Sequence, residues 1–201
     1  MIDAGQPSVR KTAQKLTHPF EHWPRTRRRR ALLLLIAAAI AMQVVLALLD
    51  GPLRDTGDGT VDFEVAGSTQ RAGEIVDNWR AHDLLANAAF IDGLDFLFAL
   101  LYTAAIAGGC VAAAGAWRSR GRKRLAAVGI GLAWAASAAA AFDWAENVAL
   151  AVSLLDGPTS PWPAIALGAA IPKFAGAWAG LLYALAGGTV ALAGRMRHRG
   201  G

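Results

Sequence analysis

Cysteine and histidine, the residues that most often bind transition metals, are scarce in this sequence. The 201 residues include one cysteine, Cys110, and four histidines. A single cysteine cannot form an intrachain disulfide, so the fold does not depend on one. His82 and His198 stand alone, and His18 and His22 fall in the N-terminal tail. Neither His-Glu-x-x-His nor Glu-x-x-His occurs, which argues against a zinc hydrolase and a helical di-iron site. No motif implies a cofactor.

Charge is nearly absent from four long stretches of the chain. Hydrophobic residues make up 55% of the sequence and gather in blocks long enough to cross roughly 30 Å of hydrocarbon as helices. A soluble amphipathic helix would carry a polar stripe, which these blocks lack. We therefore predict an all-α membrane protein built as a four-helix transmembrane bundle. Its first apolar run, of about 19 residues, is longer than that of a cleaved signal peptide.

The predicted segments follow from the positions of the apolar blocks and the turn residues between them. The predicted order is a basic cytoplasmic tail at 1–30, flexible up to residue 24, a first span at 31–49, an extracytoplasmic cap at 50–89, a second span at 90–117, a basic loop at 118–124, a third span at 125–155, an outer turn at 156–162, a fourth span at 163–194 and a cytoplasmic tail at 195–201.

Basic residues gather at alternate ends of the spans. They occur in clusters at residues 25–30, 118–124 and 195–199, which would all lie on one side of a four-span protein. Cytoplasmic loops of membrane proteins are enriched in Lys and Arg, so we predict both termini in the cytoplasm and a location in the cytoplasmic (inner) membrane. The same placement accounts for the net charge of +5 through anionic headgroups, and we expect no nucleic-acid partner.

The cap between spans one and two is predicted to contain a short strand and a helix. Residues 61–65 alternate apolar and acidic side chains, a period typical of a half-exposed strand. The segment Gly67-Ser68-Thr69 provides a capping signal for a helix at residues 70–85. About 40 residues are too few for an independent core, so the cap should pack on the outer ends of the spans.

Three charged residues are predicted to lie at one depth. Asp95, Glu146 and Lys173 are each 22 positions from the cytoplasmic end of their span (95 to 117, 124 to 146, 173 to 195), or about 33 Å of helix. Asp143 lies one turn deeper than Glu146 on the same helix face, together with Asn147. Small residues follow these faces inward, so the polar groups should point into the bundle.

Two interpretations of this charged layer remain open. In one, the side chains line an outward-opening polar pocket, since ionisable residues inside spans often mark functional sites. In the other, Lys173 neutralises Glu146 or Asp143 in a purely structural ion-pair network. The candidate ligand-binding residues are Asp92, Asp95, Tyr102, Asp143, Glu146, Asn147 and Lys173.

Catalytic and metal-binding roles are weaker hypotheses for the same groups. No motif assigns a catalytic residue, and the candidates for acid–base chemistry are Asp143, Glu146 and Lys173. Carboxylates could bind a hard cation, with Asp95, Asp143, Glu146 and His82 as candidate ligands. The Asp-x-x-Glu spacing is common, so it has little specificity for metal.

The polar positions also carry a resemblance to a protein family. The segment Asp92-x-x-Asp95-Phe-x-Phe-x-x-x-Tyr102, with Asp143-x-x-Glu146-Asn147 and Lys173-Phe174, resembles a pattern of bacterial four-span inner-membrane proteins of unassigned function. The resemblance covers spans two to four. It implies the four-span architecture and no particular activity.

Three classes of function follow from these observations. We expect a binding or accessory protein whose pocket takes a small ligand, a lipid headgroup or a partner. The alternatives are a membrane-embedded enzyme acting on a lipid-like substrate, and a structural ion-pair network in a self-associating protein. Membrane lipid is an expected partner, and Gly176-x-x-x-Gly180 is a pattern that lets two helices approach closely, so it could mediate homo-oligomerisation.

Overall fold

The computed structural model describes residues 16–197 of the chain, with side chains up to residue 190. All regular structure in this part is helical. After a short 3₁₀ helix at Pro19–His22, the helices are α1 (Arg25–Arg54), α2 (Thr60–Glu64), α3 (Thr69–Ala81), α4 (Leu85–Arg118), α5 (Lys123–Leu155) and α6 (Trp162–Arg197).

Four of these helices, α1, α4, α5 and α6, are long and apolar enough to cross a membrane. The predicted bundle of four apolar helices is therefore confirmed. Helices α4, α5 and α6 pack against one another, whereas α1 packs mainly against α4. This leaves one side of α1 free to face a space between itself and α6.

Glycines allow α6 to approach its neighbours closely. A Cβ added at Gly180 would lie 2.6 Å from Ile106 Cγ2 on α4, and one at Gly176 would lie 3.2 Å from the carbonyl oxygen of Ala135 on α5. Both glycines thus face helices of the same chain. Self-association remains a prediction, but these glycines could take part in it only if α6 moved away from α4 and α5.

The predicted strand at residues 61–65 is wrong, because these residues lie in and beside the short helix α2. Two carboxylates satisfy the first N–H groups of this helix. Asp62 Oδ2 accepts a hydrogen bond from the Gly59 amide at 2.8 Å, and Asp50 Oδ1 accepts one from the Thr60 amide at 2.8 Å. Free N–H groups at a helix start need such partners, so these acids favour a helical turn over an extended strand.

Helix α1 extends past the predicted end of the first span at residue 49. Asp50 is paired with Arg54 one turn later, at 3.2 Å, in addition to its bond to α2. Residues 50–54 therefore form the last turn of α1 instead of a loop. Pro52 lies inside the helix near its C-terminal end, and it lacks the N–H that would bond to a carbonyl one turn earlier.

Helix α3 anchors the cap. Within the predicted capping segment it is Ser68 that caps the helix, by accepting a hydrogen bond from the Arg71 amide. The helix ends at Ala81, before the predicted residue 85. Trp79 is fully buried and donates its indole N–H to the Asp58 carbonyl at 2.9 Å. Trp79 belongs to a hydrophobic cluster that includes Leu150 and Ala166 from the ends of α5 and α6. The segment between α1 and α4 therefore packs on the ends of the long helices.

The segment before α1 packs against the bundle, although we predicted a flexible tail up to residue 24. His18 Nε2 lies 3.2 Å from Ser137 Oγ, and the Trp134 indole donates to the Thr17 carbonyl at 3.0 Å. Phe20 packs on a cluster formed by α4 and α5, and Glu21 pairs with Arg118 at 3.0 Å. The predicted tail residues 1–15 and 198–201 lie outside the described part of the chain.

Candidate ligand-binding site

Lys173 is the centre of a buried ionic cluster near the cap. Its Nζ lies 2.8 Å from the Glu146 carboxylate, 3.2 Å from Glu64 Oε2 and 3.9 Å from Asp143 Oδ1. The side chains of Lys173 and Glu146 are 6% and 0% exposed, respectively. The cluster thus joins α6, α5 and the short cap helix α2.

The sequence of α5 explains why it supplies several members of the cluster. Asp143, Glu146 and Asn147 are spaced so that they share one side of the helix, and each is at most 1% exposed. The preceding residues on this side, Ala136 and Ala139, are also buried. Their small side chains let α4 and α6 come close enough to reach the polar groups.

Two further hydrogen bonds tie the polar side of α5 to α4. The Tyr102 hydroxyl donates to Asp143 Oδ2 at 2.6 Å, and the Asn147 amide donates to Asp95 Oδ2 at 2.9 Å. These bonds orient both carboxylates. They leave Asp143 Oδ1 without a hydrogen-bond partner in the described part of the structure.

Asp92 lies one turn before Asp95 on α4, and it is the least compensated acid of the group. Its side chain is buried, with the residue 9% exposed, and Oδ1 has no hydrogen-bond partner among the residues described. Burying a carboxylate without a donor or a cation is costly. This oxygen therefore marks a place where an external donor would be favourable.

These groups surround one end of a cavity of about 580 Å³. The walls of the cavity come from α1 and α6, and its back comes from α4 and α5. We call the end near the cap the polar end; it is lined by Asp50, Glu64, Asp92, Asp95, Asp143 and Lys173. The other end is the apolar end, which is lined by Ile36, Ile40, Ile106, Trp178 and Leu181.

The apolar end is open at the side of the bundle. Ile40 on α1 and Trp178 on α6 are each 60% exposed although both line the cavity. The opening therefore lies between two helices that are apolar enough to cross a membrane. A molecule in this cavity would touch ionic groups at one end and hydrocarbon side chains at the other.

The structure places the predicted ligand-binding residues in one region. Six of the seven, Asp92, Asp95, Tyr102, Asp143, Asn147 and Lys173, line the cavity. The seventh, Glu146, is fully buried against Lys173 and does not line it.

The candidate metal ligands do not all converge. His82 is exposed on the cap and its Nδ1 lies 2.8 Å from the Asn78 carbonyl oxygen, so it is not part of the site. Within residues 16–197, no three His, Cys, Asp or Glu side chains are grouped as metal ligands would be. Among the three remaining candidates, Lys173 supplies positive charge next to Asp143 and Glu146.

Sequence reasoning missed five polar residues of this region, Gln43, Asp50, Arg54, Thr60 and Glu64. Glu64 reaches Lys173 from the cap, over a separation of 109 positions. Gln43 on α1 also lines the cavity, and it is the only polar side chain in the apolar run at 31–49. An isolated amide inside a span is a signal that could have identified α1 as a wall of the site.

Comparisons with known proteins give no relative for this chain. No protein-family model, no curated protein and no solved structure matches it. The evidence for function is the geometry of the cavity and its charges.

Proposed function

We propose that this chain is an integral membrane protein that binds an amphiphilic molecule in the cavity between α1 and α6. The polar head of the ligand would lie at the polar end, beside Asp92, Asp95 and Asp143. Its hydrocarbon chain would lie at the apolar end. The protein would act as a binding or accessory protein for a membrane lipid or a lipid-like ligand.

The observation that carries this proposal is the division of one cavity into an ionic end and a hydrocarbon end. Ligand sites usually combine a mostly apolar lining with a few fixed polar groups, and this cavity of about 580 Å³ is of ordinary size for one. Its side opening between α1 and α6 would face acyl chains. A ligand could therefore enter from the bilayer without passing through water.

The orientation in the membrane is part of the proposal. The basic residues at 25–30, 118–124 and 195–199 would lie in the cytoplasm, together with both termini. The cap and the polar end would then be at the outer side of the cytoplasmic membrane, near the headgroups. A cysteine-accessibility experiment supports this orientation if a residue added after position 201 reacts only from the cytoplasmic side.

Filling the apolar end tests whether the cavity binds an amphiphile. Ala177 lines the cavity, whereas Ala179, two positions later on α6, is exposed and is not part of the lining. We expect the wild-type protein to bind dodecanol in phosphatidylcholine nanodiscs. Native mass spectrometry of the protein after its release from the nanodisc would detect the bound dodecanol. The Ala177→Trp variant should bind dodecanol at least about tenfold more weakly than the wild type, and the Ala179→Trp variant should bind it as tightly as the wild type.

Two results would overturn the proposal. One is the absence of dodecanol and of any retained lipid from the wild-type protein. The other is equal binding by Ala177→Trp and the wild type, with both proteins folded by circular dichroism. In either case the ion pairs around Lys173 would be left with a structural role in holding α2, α5 and α6 together.

The environment of Asp143 favours a second candidate function, in which the protein is an enzyme that acts on the bound amphiphile. One of the Asp143 oxygens is held by the Tyr102 hydroxyl, while the other has no hydrogen-bond partner in residues 16–190 and belongs to a side chain that lines the cavity. A carboxylate fixed in this way could act as a general base. Asp143→Asn should then abolish turnover of a lipid-like substrate but leave dodecanol binding intact. Equal turnover by the variant and the wild type would exclude this role.

A further inference from the structure

The charges at the polar end are unbalanced. Six carboxylates lie in or directly behind the lining, from Asp50, Glu64, Asp92, Asp95, Asp143 and Glu146, against two cations, Arg54 and Lys173. Arg54 pairs with Asp50 at 3.2 Å, and Lys173 pairs with Glu146 at 2.8 Å, with Glu64 at 3.2 Å and, more distantly, with Asp143 at 3.9 Å. No cation of the described chain lies within 4.0 Å of Asp92 or Asp95.

The unpartnered atoms at this end are hydrogen-bond acceptors. Asp92 Oδ1 and Asp143 Oδ1 are buried and have no donor among the residues that the structure describes. Both residues line the cavity, with these two oxygens just beneath its surface. An ionised carboxylate accepts hydrogen bonds and cannot donate them, so a head group that supplies donors would complement these atoms.

An aromatic pair lies next to these carboxylates. The rings of Phe98 and Tyr102 line the cavity one and two turns after Asp95 on α4, with their centroids 5.0 Å apart. Ring faces attract cations, especially where water is excluded. This adds a second kind of group that favours positive charge over negative charge at the same end.

From these observations we infer that the head group of the ligand is a protonated amine carried on a long hydrocarbon chain. The inference rests on the proposed function and specifies the chemistry of its ligand. An ammonium group has three donors and one positive charge, which suit the acceptors of Asp92 and Asp143. A head that carries phosphate or carboxylate without an ammonium group would place further acceptors against the same carboxylates and be repelled.

The length of the cavity suits such a molecule. From Asp95 to Ile106 is 11 positions along α4, or about 16 Å of helix, and both residues line the cavity. An ammonium beside Asp92 and Asp95 would therefore leave its chain running past Phe98 toward Ile106. Trp178 and Leu181 on α6 would cover the other side of the chain.

A series of ligands with one tail tests the inference. Dodecylammonium, dodecanol and dodecanoate share a 12-carbon chain and differ only in the head. We expect the wild-type protein in phosphatidylcholine nanodiscs to bind dodecylammonium at least about tenfold more tightly than dodecanol, with dodecanoate weakest. The signal from the Ala177→Trp variant, in which the cavity is filled, measures how much of each compound the nanodisc itself takes up. This background is subtracted from the wild-type signal.

Variants of two aspartates assign the preference to the site. Asp92→Asn removes one charge from the polar end and nearly preserves the shape of the side chain. Asp77→Asn removes a charge from the exposed surface of α3, where Asp77 pairs with Arg80. We expect Asp92→Asn to weaken dodecylammonium binding about tenfold with little effect on dodecanol. Asp77→Asn should change neither affinity.

The possible results separate this inference from the proposed function. Equal binding of dodecanol and dodecylammonium by the wild type would overturn the amine inference and leave an amphiphile-binding protein. Equal effects of Asp92→Asn and Asp77→Asn would do the same. If none of the three compounds binds, the proposed function fails as well.

A competition experiment with phosphatidylethanolamine extends the test, because this membrane lipid carries an amine in its head group. Competition between this lipid and dodecylammonium would identify an aminophospholipid as the source of the amine. Its failure to compete, with dodecylammonium binding retained, would identify a free long-chain amine. Both results support the amine inference.

Discussion

Lys173 Nζ lies 2.8 Å from the carboxylate of Glu146, a residue 27 positions earlier on the neighbouring helix α5. Glu146 is completely buried, and Lys173 is the only cation within 4.0 Å of its carboxylate among the residues that the structure describes. A charge pair at such depth offsets a large desolvation cost only while both members are present. The pair therefore makes the helices α5 and α6 dependent on each other.

Removal of the lysine should destabilise the protein strongly. Lys173→Met leaves the Glu146 carboxylate buried without its cation, a change that costs about 3–5 kcal/mol in other proteins. The double variant Lys173→Met/Glu146→Gln removes the uncompensated charge and should recover part of that loss. The free energies of unfolding can be compared by titration with sodium dodecyl sulfate in mixed micelles. A double variant as unstable as Lys173→Met would contradict this account.

Glu64 should hold the cap against the bundle. Its side chain is 14% exposed and contacts Lys173, so Glu64→Gln removes one charged contact between α2 and α6. We expect faster amide hydrogen exchange in residues 59–68 of this variant, without a change in the centre of α5. Glu74→Gln is a matched control, since Glu74 is 54% exposed on α3. Equal exchange in the two variants would show that Glu64 does not anchor the cap.

The two tyrosines of the chain provide a matched test of the bond to Asp143. Tyr102→Phe removes the donor to a buried carboxylate and should cost roughly 1–3 kcal/mol, because the acceptor is left unsatisfied. Tyr183→Phe removes a bond to the Leu125 carbonyl and should cost no more than about 1 kcal/mol. Thermal unfolding in one detergent compares them. A larger loss for Tyr183→Phe would mean that the bond to Asp143 is not important for stability.

The long helices and their polar faces could be predicted because they depend on local patterns. Apolar runs determine which segments are helical and long, and the common spacing of 22 residues predicts that Glu146 and Lys173 lie at one depth. The structure brings these two residues together. Helical periodicity alone was sufficient to place Asp143, Glu146 and Asn147 on one side of α5.

The cap could not be predicted in the same way, because its conformation depends on distant partners. Five residues with alternating side chains fit either a strand or one helical turn, and the bond from the Thr60 amide to Asp50 favours the helix. Glu64 is part of the ionic cluster only because that helix directs it toward Lys173, 109 positions away. No periodicity within residues 50–89 contains this information.

His18 should make the packing of the N-terminal segment dependent on pH. Burial lowers the pKa of His18 below its ordinary value near 6.5, against the smaller opposing effect of Glu21. The neutral ring accepts a hydrogen bond from the Phe20 amide at Nδ1, and its Nε2 lies 3.2 Å from Ser137 Oγ. Protonation would remove the acceptor at Nδ1 and place a charge in a buried site.

The sign of the pH effect follows from the direction of this shift. Because the pKa of His18 is lower in the packed state than in the free segment, packing is strongest above pH 6.5 and weakens as the pH falls through that value. Hydrogen exchange of residues 16–23 should therefore rise, after correction for its intrinsic pH dependence, between pH 7.5 and about pH 5. His18→Gln should remove this dependence, whereas the control His22→Gln, at an exposed position, should keep it. If the wild type and His18→Gln respond identically to pH, the histidine does not control the segment.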